Sequence, residues 1–389
     1  MKSNYKPIGN HIRLVDERNK GLQVQQLLGL SISKQFIPSV ANIIGTDMEN
    51  YKIIRKNQFA CSTMQVRRDK KMPVALLKDL DEAIISQAYP IFEVKDEKEL
   101  LPEYLMMWFE RAEFDREACF HAVGGVRGSL EWEDFESMQL PIPHIDKQRE
   151  IVKEYNTIQN RIVLNQQLIQ KLEETAQAIY KQWFVDFEFP DESGKPYRSN
   201  GGEMVWCEEL GNEIPRGWKL KNYEEVFNFK TGKLNSHAAI SDGEFPFFTC
   251  SQETFKTNTF AFDCEALILA GNNASAIYPF KYFEGKFDAY QRTYIITPKE
   301  SFVSIYQGYF EILGRLEEFK GTSSGTATKF LTMQILNPIK IIEPEEQVYK
   351  NLSKMCRPLF TGKLLAERII NSLTELKELL LSKLATVEN

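Results

Sequence analysis

The stretch Leu140–Phe184, LPIPHIDKQREIVKEYNTIQNRIVLNQQLIQKLEETAQAIYKQWF, decides how the chain is read. Ile151, Tyr155, Ile158, Ile162, Asn165, Ile169, Leu172, Ala176, Ile179 and Trp183 recur in alternating steps of four and three, the spacing of a coiled-coil seam. Pro141 and Pro143 forbid helix just before it, and Asp146 is the expected N-cap. At ~1.5 Å per residue, about forty residues make a rod of roughly 60 Å. Asn165 interrupts the apolar seam, a position where a polar residue fixes register at some cost in stability. The stretch has few groups suited to catalysis.

The chain ends on the same device. Leu352, Met355, Leu359, Gly362, Ala366, Ile369, Leu373, Leu376 and Leu380 form a second seam, with Pro358 expected to kink it or delay its start. The approaches match: MQLPIPHIDKQ (138–148) against MQILNPIKIIEPEEQ (333–347). Upstream come the Gly-rich loops FHAVGGVRGSLEWEDF (120–135) and FKGTSSGTATKFLTM (319–333), and the amphipathic helices LPEYLMMWFE (101–110) and VSIYQGYFEILGRL (303–316). Strands are expected at AIISQAYPIFEV (83–94) and FDAYQRTYIITP (287–298), and at NQFACS (57–62) and CEALILA (264–270). The order is globule, rod, linker, globule, rod. Residues 189–218, rich in Pro, Gly, Ser, Asn and acid, are expected to be extended or irregular. Seams this long want a partner helix: the rods pair antiparallel with each other, or each caps its own domain.

A chain of 389 residues is too long for one ordinary core, so two domains are expected. Its 48 Lys and Arg against 54 Asp and Glu leave a net charge of −6, which counts mildly against nucleic-acid binding. A local basic face is still compatible with acidic helices elsewhere. No apolar run approaches the ~18 residues of a membrane span, and MKSNYKPIGN lacks the apolar core of a signal peptide. Cys61, Cys119, Cys207, Cys250, Cys264 and Cys356 form no C-x-x-C and have no His at ligand spacing. Reduced thiols of a cytoplasmic protein are therefore expected, with neither a zinc site nor a disulfide framework.

Catalytic motifs fail on inspection. GTSSG (321–325) has the form of a nucleophile elbow, but the last histidine, His237, precedes Ser323. The Asp, Glu and Lys of FPDESGK (189–195) lie in a linker rather than on the rigid strands a Mg²⁺ nuclease needs. NPIK (337–340) lacks the aromatic residue that would stack on a flipped base. His11, His121, His144 and His237 are scattered. What remains are polar, basic loops in each globule. In the first, Lys34, Gln35, Arg67, Arg68, Lys70, Lys71 and Arg127 are candidate DNA contacts; in the second, Lys230, Lys233, Asn235, Asn272, Asn273, Lys281, Thr328 and Lys329. Lys and Arg suit phosphate or guanine O6 and N7, Asn and Gln suit adenine, and Gly admits the backbone closely. Ordinary solvated loops are the alternative reading of any one of them.

Several segments, in this order and with the repeat, resemble the specificity (S) subunit of a type I restriction-modification system. They are LSISKQFIP (30–38), NYKIIRKNQFACS (50–62), SQAYPIFEV (86–94), GVRGSLEWEDFESMQLPIPHIDKQREIV (125–152), AQAIYKQWFVDFEF (176–189) and IPRGWKLKNYEEV (214–226). The resemblance implies an α+β fold in which two target recognition domains, mixed β-sheets with helices, are separated by two long antiparallel coiled-coil helices. It assigns 1–145 to the first recognition domain, 146–187 to the first spacer helix, 188–213 to a linker, 214–343 to the second domain and 344–389 to the second helix. It implies double-stranded DNA as a ligand, each domain reading half of a bipartite site. The helices would set the spacer and dock two modification (methyltransferase) subunits, through positions such as Ile151, Ile158, Asn165, Leu172, Ile179, Leu359, Ile369, Leu373 and Leu380. Restriction subunits would join for cleavage. The S subunit is non-catalytic and has no cofactor of its own; S-adenosylmethionine belongs to the modification partners, ATP and Mg²⁺ to the restriction partners. The final LLLSKLATVEN departs from the LLxxLLSG-like end common in the family. A coiled-coil scaffold that binds only proteins is the alternative, separated by salt-sensitive DNA binding.

Overall fold

The computed structural model describes residues 4–39, 46–124, 128–323 and 328–387; Arg127 and parts of the GGVRG and GTSSG loops lie outside the described residues. The chain divides into two compact units, Met1–Leu164 with Ile369–Asn389, and Asn165–Arg368.

The first unit begins with β1 (Tyr5–Pro7), β2 (Ile12–Val15) and a hairpin of β3 (Leu28–Leu30) and β4 (Phe36–Pro38). There follow β5 (Lys52–Arg55), β6 (Phe59–Cys61), the single turn α1 (Val66–Asp69), β7 (Val74–Leu76), β8 (Glu82–Ile85) and β9 (Ile91–Val94). Helices α2 (Pro102–Glu110), α3 (Ala112–His121) and α4 (Trp132–Ser137) lead to β10 (Gln139–Pro141) and the long α5 (Ile145–Phe184). Pro102 opens α2, where a missing N–H costs nothing. The sheet runs β2-β9-β6-β7, antiparallel throughout, and β1 pairs with β10. Phe59 and Phe92 stack at 4.9 Å beneath Phe109 and Phe135, and this core takes in Ile151, Val152 and Tyr155 of α5.

The second unit carries the hairpin β11 (Met204–Cys207)–β12 (Asn212–Pro215), then β13 (Lys219–Asn222), α6 (Tyr223–Val226) and β14 (Phe227–Thr231). Next are β15 (Phe245–Phe248), β16 (Thr254–Thr257), β17 (Phe262–Ala270), β18 (Asn272–Asn273), β19 (Phe280–Ala289) and β20 (Thr293–Pro298). It closes with α7 (Ile305–Leu313), α8 (Leu316–Thr322), β21 (Lys329–Phe330), α9 (Met333–Leu336), β22 (Lys340–Glu343) and α10 (Glu346–Lys383). Its sheet order is β14-β20-β17-β19-β15-β16. The first four places repeat β2-β9-β6-β7 in order and direction, and β13–β22 repeats β1–β10. The duplication expected from sequence is thus a duplication of topology.

The long helices run antiparallel within each unit. In the first, the Lys377 ammonium lies 5.9 Å from the Tyr155 ring centroid, and Leu381 and Leu384 share the core with Ile151. In the second, Lys363 Nζ donates to Glu173 Oε1 at 2.5 Å and Gly362 faces Leu172. The first seam lies inward as expected: Ile151, Tyr155, Ile162, Ala176 and Trp183 are buried, and Ile158, Asn165, Ile169, Leu172 and Ile179 half-buried.

Other expectations are corrected. On α10, Leu373 is buried and Leu359, Ile369 and Leu380 half-buried, but Met355 and Leu376 are 45% and 48% exposed, while Cys356, Phe360, Leu364 and Leu381 are buried. Around Met355 the cause is a second packing surface: Phe360 meets Tyr282 and Tyr306 at 4.8 Å and Tyr309 at 5.0 Å, so the buried stripe there turns toward the sheet and α7. α10 runs on through Pro358. α5 begins one residue before Asp146; His144 Nδ1 accepts the Asp146 N–H at 3.4 Å, and Asp146 pairs with Arg149 at 2.7 Å inside the first turn. The 83–94 and 287–298 segments each hold a turn between strand residues. Within residues 189–218, Met204–Cys207 and Asn212–Pro215 pair as the β11–β12 hairpin while the rest is turns and irregular chain, and Phe189 stacks on Tyr197 at 4.6 Å and on Trp218 at 4.7 Å.

Candidate nucleic-acid interface

The three basic loops of the first half converge around α3. Met72 N donates to Asp115 Oδ1 at 3.1 Å, and Lys34 Nζ reaches the same carboxylate at 2.8 Å. Arg67 joins its loop to the next: its N–H donates to Gly128 O at 3.3 Å and its Nη1 to Gly124 O at 3.2 Å. Leu130 N donates to Thr63 O at 2.9 Å beside them. Lys34 (φ 63), Gln65 (φ 63) and Lys70 (φ 51) hold left-handed backbone without being glycine, a local strain that clusters at functional loops.

The candidates here differ in what they can reach. Lys70 and Lys71 are exposed, and no carboxylate among the described residues pairs with either. Arg68 is half-exposed and bound to Asp69 at 2.6 Å. Gln35 is exposed at the end of a turn in which its carbonyl accepts the Ser31 N–H. Lys34 points inward, its side chain 7% exposed, and it also donates to Phe109 O. Burial pulls its pKa down and Asp115 pulls it back, so its charge is answered inside the protein.

In the second unit four segments meet at one end of the sheet. Leu234 bridges Tyr290, Gly232 N donates to Thr293 O at 3.3 Å, and Gly271 N donates to Arg292 O at 2.8 Å. β18 pairs with β21, setting Asn272 opposite Phe330 and Asn273 opposite Lys329. A Cβ on Gly271 would sit 2.5 Å from Arg292 O, and one on Gly232 would collide with Ala289 O, so both glycines serve close backbone approach.

This brings together Lys233, Asn235, Asn272, Asn273 and Lys329, with Thr328 beside Lys329. Lys233 and Asn235 are exposed; Asn272 accepts from Cys250 Sγ at 2.9 Å, and Asn273 Oδ1 accepts the Ser275 N–H at 2.8 Å. Lys230 is exposed on β14, one residue before the strand's end. Lys281 stands apart: its ammonium donates to Gln252 O at 2.6 Å and Thr254 Oγ1 at 2.7 Å, and burial lowers its pKa.

The same end of the sheet holds two exposed residues not anticipated from sequence, Gln291 and Arg292. They occupy the β19–β20 turn, inside the 287–298 segment expected to be strand. The signal lay in the other repeat, where the aligned SQAYP carries Pro90, a strand breaker.

Charge explains how an acidic chain offers such loops. Residues 185–215 carry eight carboxylates against two cations, a net of −6 that equals the net charge of the whole chain. The remainder is neutral overall, which leaves both loop clusters free of bulk repulsion toward phosphate. Among the described residues no group of three or more His, Cys, Asp or Glu is placed to hold a metal ion, and no helix is long and apolar enough to cross a membrane. The arrangement is suited to contact rather than to bond-making: ammonium, guanidinium and amide groups on rigid turns.

Comparisons with known proteins place the whole chain. The type I restriction modification DNA specificity domain matches residues 40–174 and 215–365. The EcoDI specificity subunit of a type I restriction enzyme from Escherichia coli is 34% identical over 135 residues, 34% of this chain and 29% of that protein. The MjaIX specificity subunit from Methanocaldococcus jannaschii is 21% identical over 309 residues, 73% of this chain and 68% of that one. The crystal structure of a type I restriction-modification S subunit from M. genitalium shares the fold, with a TM-score of 0.63 at 16% identity over 100% of this chain and 98% of that one.

Proposed function

Because the chain belongs to the specificity (S) subunits of type I restriction-modification systems, we propose that each unit reads one half of a bipartite DNA sequence. Helices α5 and α10 set the spacing of the halves and dock methyltransferase subunits, with restriction subunits joining for cleavage. The observation that carries this reading is the duplicated topology, each copy presenting cations that no carboxylate among the described residues pairs with, on tightly held loops. Lys70 and Lys71 in one copy and Lys233 and Lys329 in the other suit phosphates, while Asn235 and Gln35 suit base edges. Methyl transfer and cleavage, with S-adenosylmethionine, ATP and Mg²⁺, fall to the partner subunits.

Co-expression with cognate methyltransferase subunits, followed by mapping of methylated sites, tests the reading. Exchanging residues 1–145 for those of a relative with another target should change one half of the methylated sequence. A change in both halves, or in neither, would refute two independent modules. DNA binding by the complex should weaken steeply with salt, by about 0.9 in log–log slope per phosphate contact. A scaffold that binds only proteins would show no such dependence.

A further inference from the structure

We propose that Arg292 is the side chain by which the second unit reads a guanine, with Gln291 beside it at the same turn; this rests on the reading of the second unit as a half-site reader. Arg292 lies at the tip of the β19–β20 turn, exposed, with its guanidinium carbon 5.4 Å from the Phe330 ring centroid. A cleft of about 380 Å³ opens beside it, lined by Thr231, Gln291, Tyr294, Phe330 and Met333 among others, with no carboxylate among the described residues of its wall. Elsewhere in this unit Arg216 pairs with Glu203 at 2.5 Å, Arg315 with Glu311 at 3.5 Å and Arg357 with Glu284 at 3.4 Å. No carboxylate among the described residues pairs with Arg292.

The backbone that carries Arg292 is held on three sides. Its carbonyl accepts the Gly271 N–H at 2.8 Å and lies 3.4 Å from Cys250 Sγ. Gln291 N donates to Leu234 O at 3.0 Å, and Thr293 N to Tyr290 O at 2.9 Å. The platform is fixed as well, because Phe330 is paired across to Asn272 and Tyr294 Oη donates to Leu331 O at 2.8 Å.

This much placement distinguishes the two things a cation does on DNA. A phosphate contact needs only a charge within reach, and the flexible Lys233 and Lys329 supply that. A guanidinium resting on an aromatic ring keeps its N–H fork in its own plane and available at its edge. That fork matches guanine O6 and N7, the pair of acceptors exposed in the major groove. Apart from Arg292 itself, the described residues of the wall carry no charge and offer it no carboxylate. Gln291, one residue away, has the amide geometry that suits adenine.

The test is selection of bound sequences from randomised DNA by the purified complex with its methyltransferase subunits, with thermal midpoints recorded. Arg292→Ala should lower the preference for guanine at one position of one half-site by about 5- to 150-fold and leave the other half unchanged. Arg292→Gln should shift that position toward adenine. Arg292→Lys keeps charge and exposure and should retain guanine with reduced discrimination, which preserves the test if the Ala variant is unstable. Phe330→Leu should reduce discrimination without altering the salt slope. Equal weakening on all sequences would show a phosphate contact and overturn the assignment, as would unchanged preference at every position. If the selected sites are not split into two halves, the half-site reading itself fails; if they are split but no position responds to Arg292, this inference alone fails.

Discussion

Lys34 is a positive charge carried into the interior, and its pairing sets a stability prediction. Asp115 is 11% exposed at its side chain and serves both Lys34 Nζ and the Met72 N–H. Asp115→Ala leaves a buried ammonium without its counter-ion, held only by Phe109 O, and the Met72 N–H without its acceptor, and should cost about 3–5 kcal/mol in denaturant unfolding. Replacing Lys34 and Asp115 together with Met and Leu should recover most of that loss. Glu311 gives a pH prediction. Burial raises its pKa above the ordinary 4.5, opposed by the Tyr180 hydroxyl at 2.8 Å and by Arg315. A carboxyl with a raised folded pKa binds its proton more tightly in the folded state. Its contribution is fully present below the unfolded value and is lost as pH rises through the folded one. The stability difference between wild type and Glu311→Gln should therefore fall as pH rises from below 4.5, and a flat difference would contradict the burial argument. At this scale the sequence offers candidate side chains by type but not by direction. Lys34 and Lys71 read alike as residues of basic loops. A left-handed backbone at Lys34 and a carboxylate on α3 send one inward, and neither is local to the loop.

Elements show the same division between what is local and what is not. The α5 seam was legible because one face of a long helix packs in a regular 4–3 rhythm. The α10 seam is shifted at Met355 because Phe360, on the neighbouring stripe, answers to three tyrosines of its own unit. The β19–β20 turn was read as strand because YQRT contains neither Gly nor Pro. Of the candidate site, the basic loops were legible as exposed polar segments, and the turn carrying Arg292 was not. Two glycines make the helix-level prediction. In α7, a Cβ on Gly308 would lie 2.5 Å from Phe227 Cζ, within a buried aromatic stack. Gly308→Ala should destabilise by about 1–3 kcal/mol, because overpacking exceeds the gain in helix propensity. In α10, a Cβ on Gly362 would meet only the flexible end of Leu172 at 3.2 Å. Gly362→Ala should be neutral or stabilise by up to about 1 kcal/mol. Thermal midpoints of the two variants moving together would show that packing does not distinguish the sites.

At the scale of the molecule, the helix pair is the quantity to vary. Inserting a heptad into α5 and a matching heptad into α10 lengthens the pair by about 10 Å, or about three base pairs. The spacer of the methylated site should grow by about that number while both half-sites stay the same. The first unit also depends on a distant piece of chain, since Ile369–Asn389 belongs to it and supplies Leu381 and Leu384 to its core. Removing residues 369–389 should abolish the first unit's calorimetric transition and leave that of the second. The second unit, by contrast, is one uninterrupted segment, Asn165–Arg368. On a ribosome adding roughly 5–20 residues per second, the half made first therefore waits some tens of seconds for its closing strip, while the half made second is already complete. Synthesis and folding run in opposite order, and during that interval the unclosed core around Ile151 and Tyr155 is the surface a chaperone would meet.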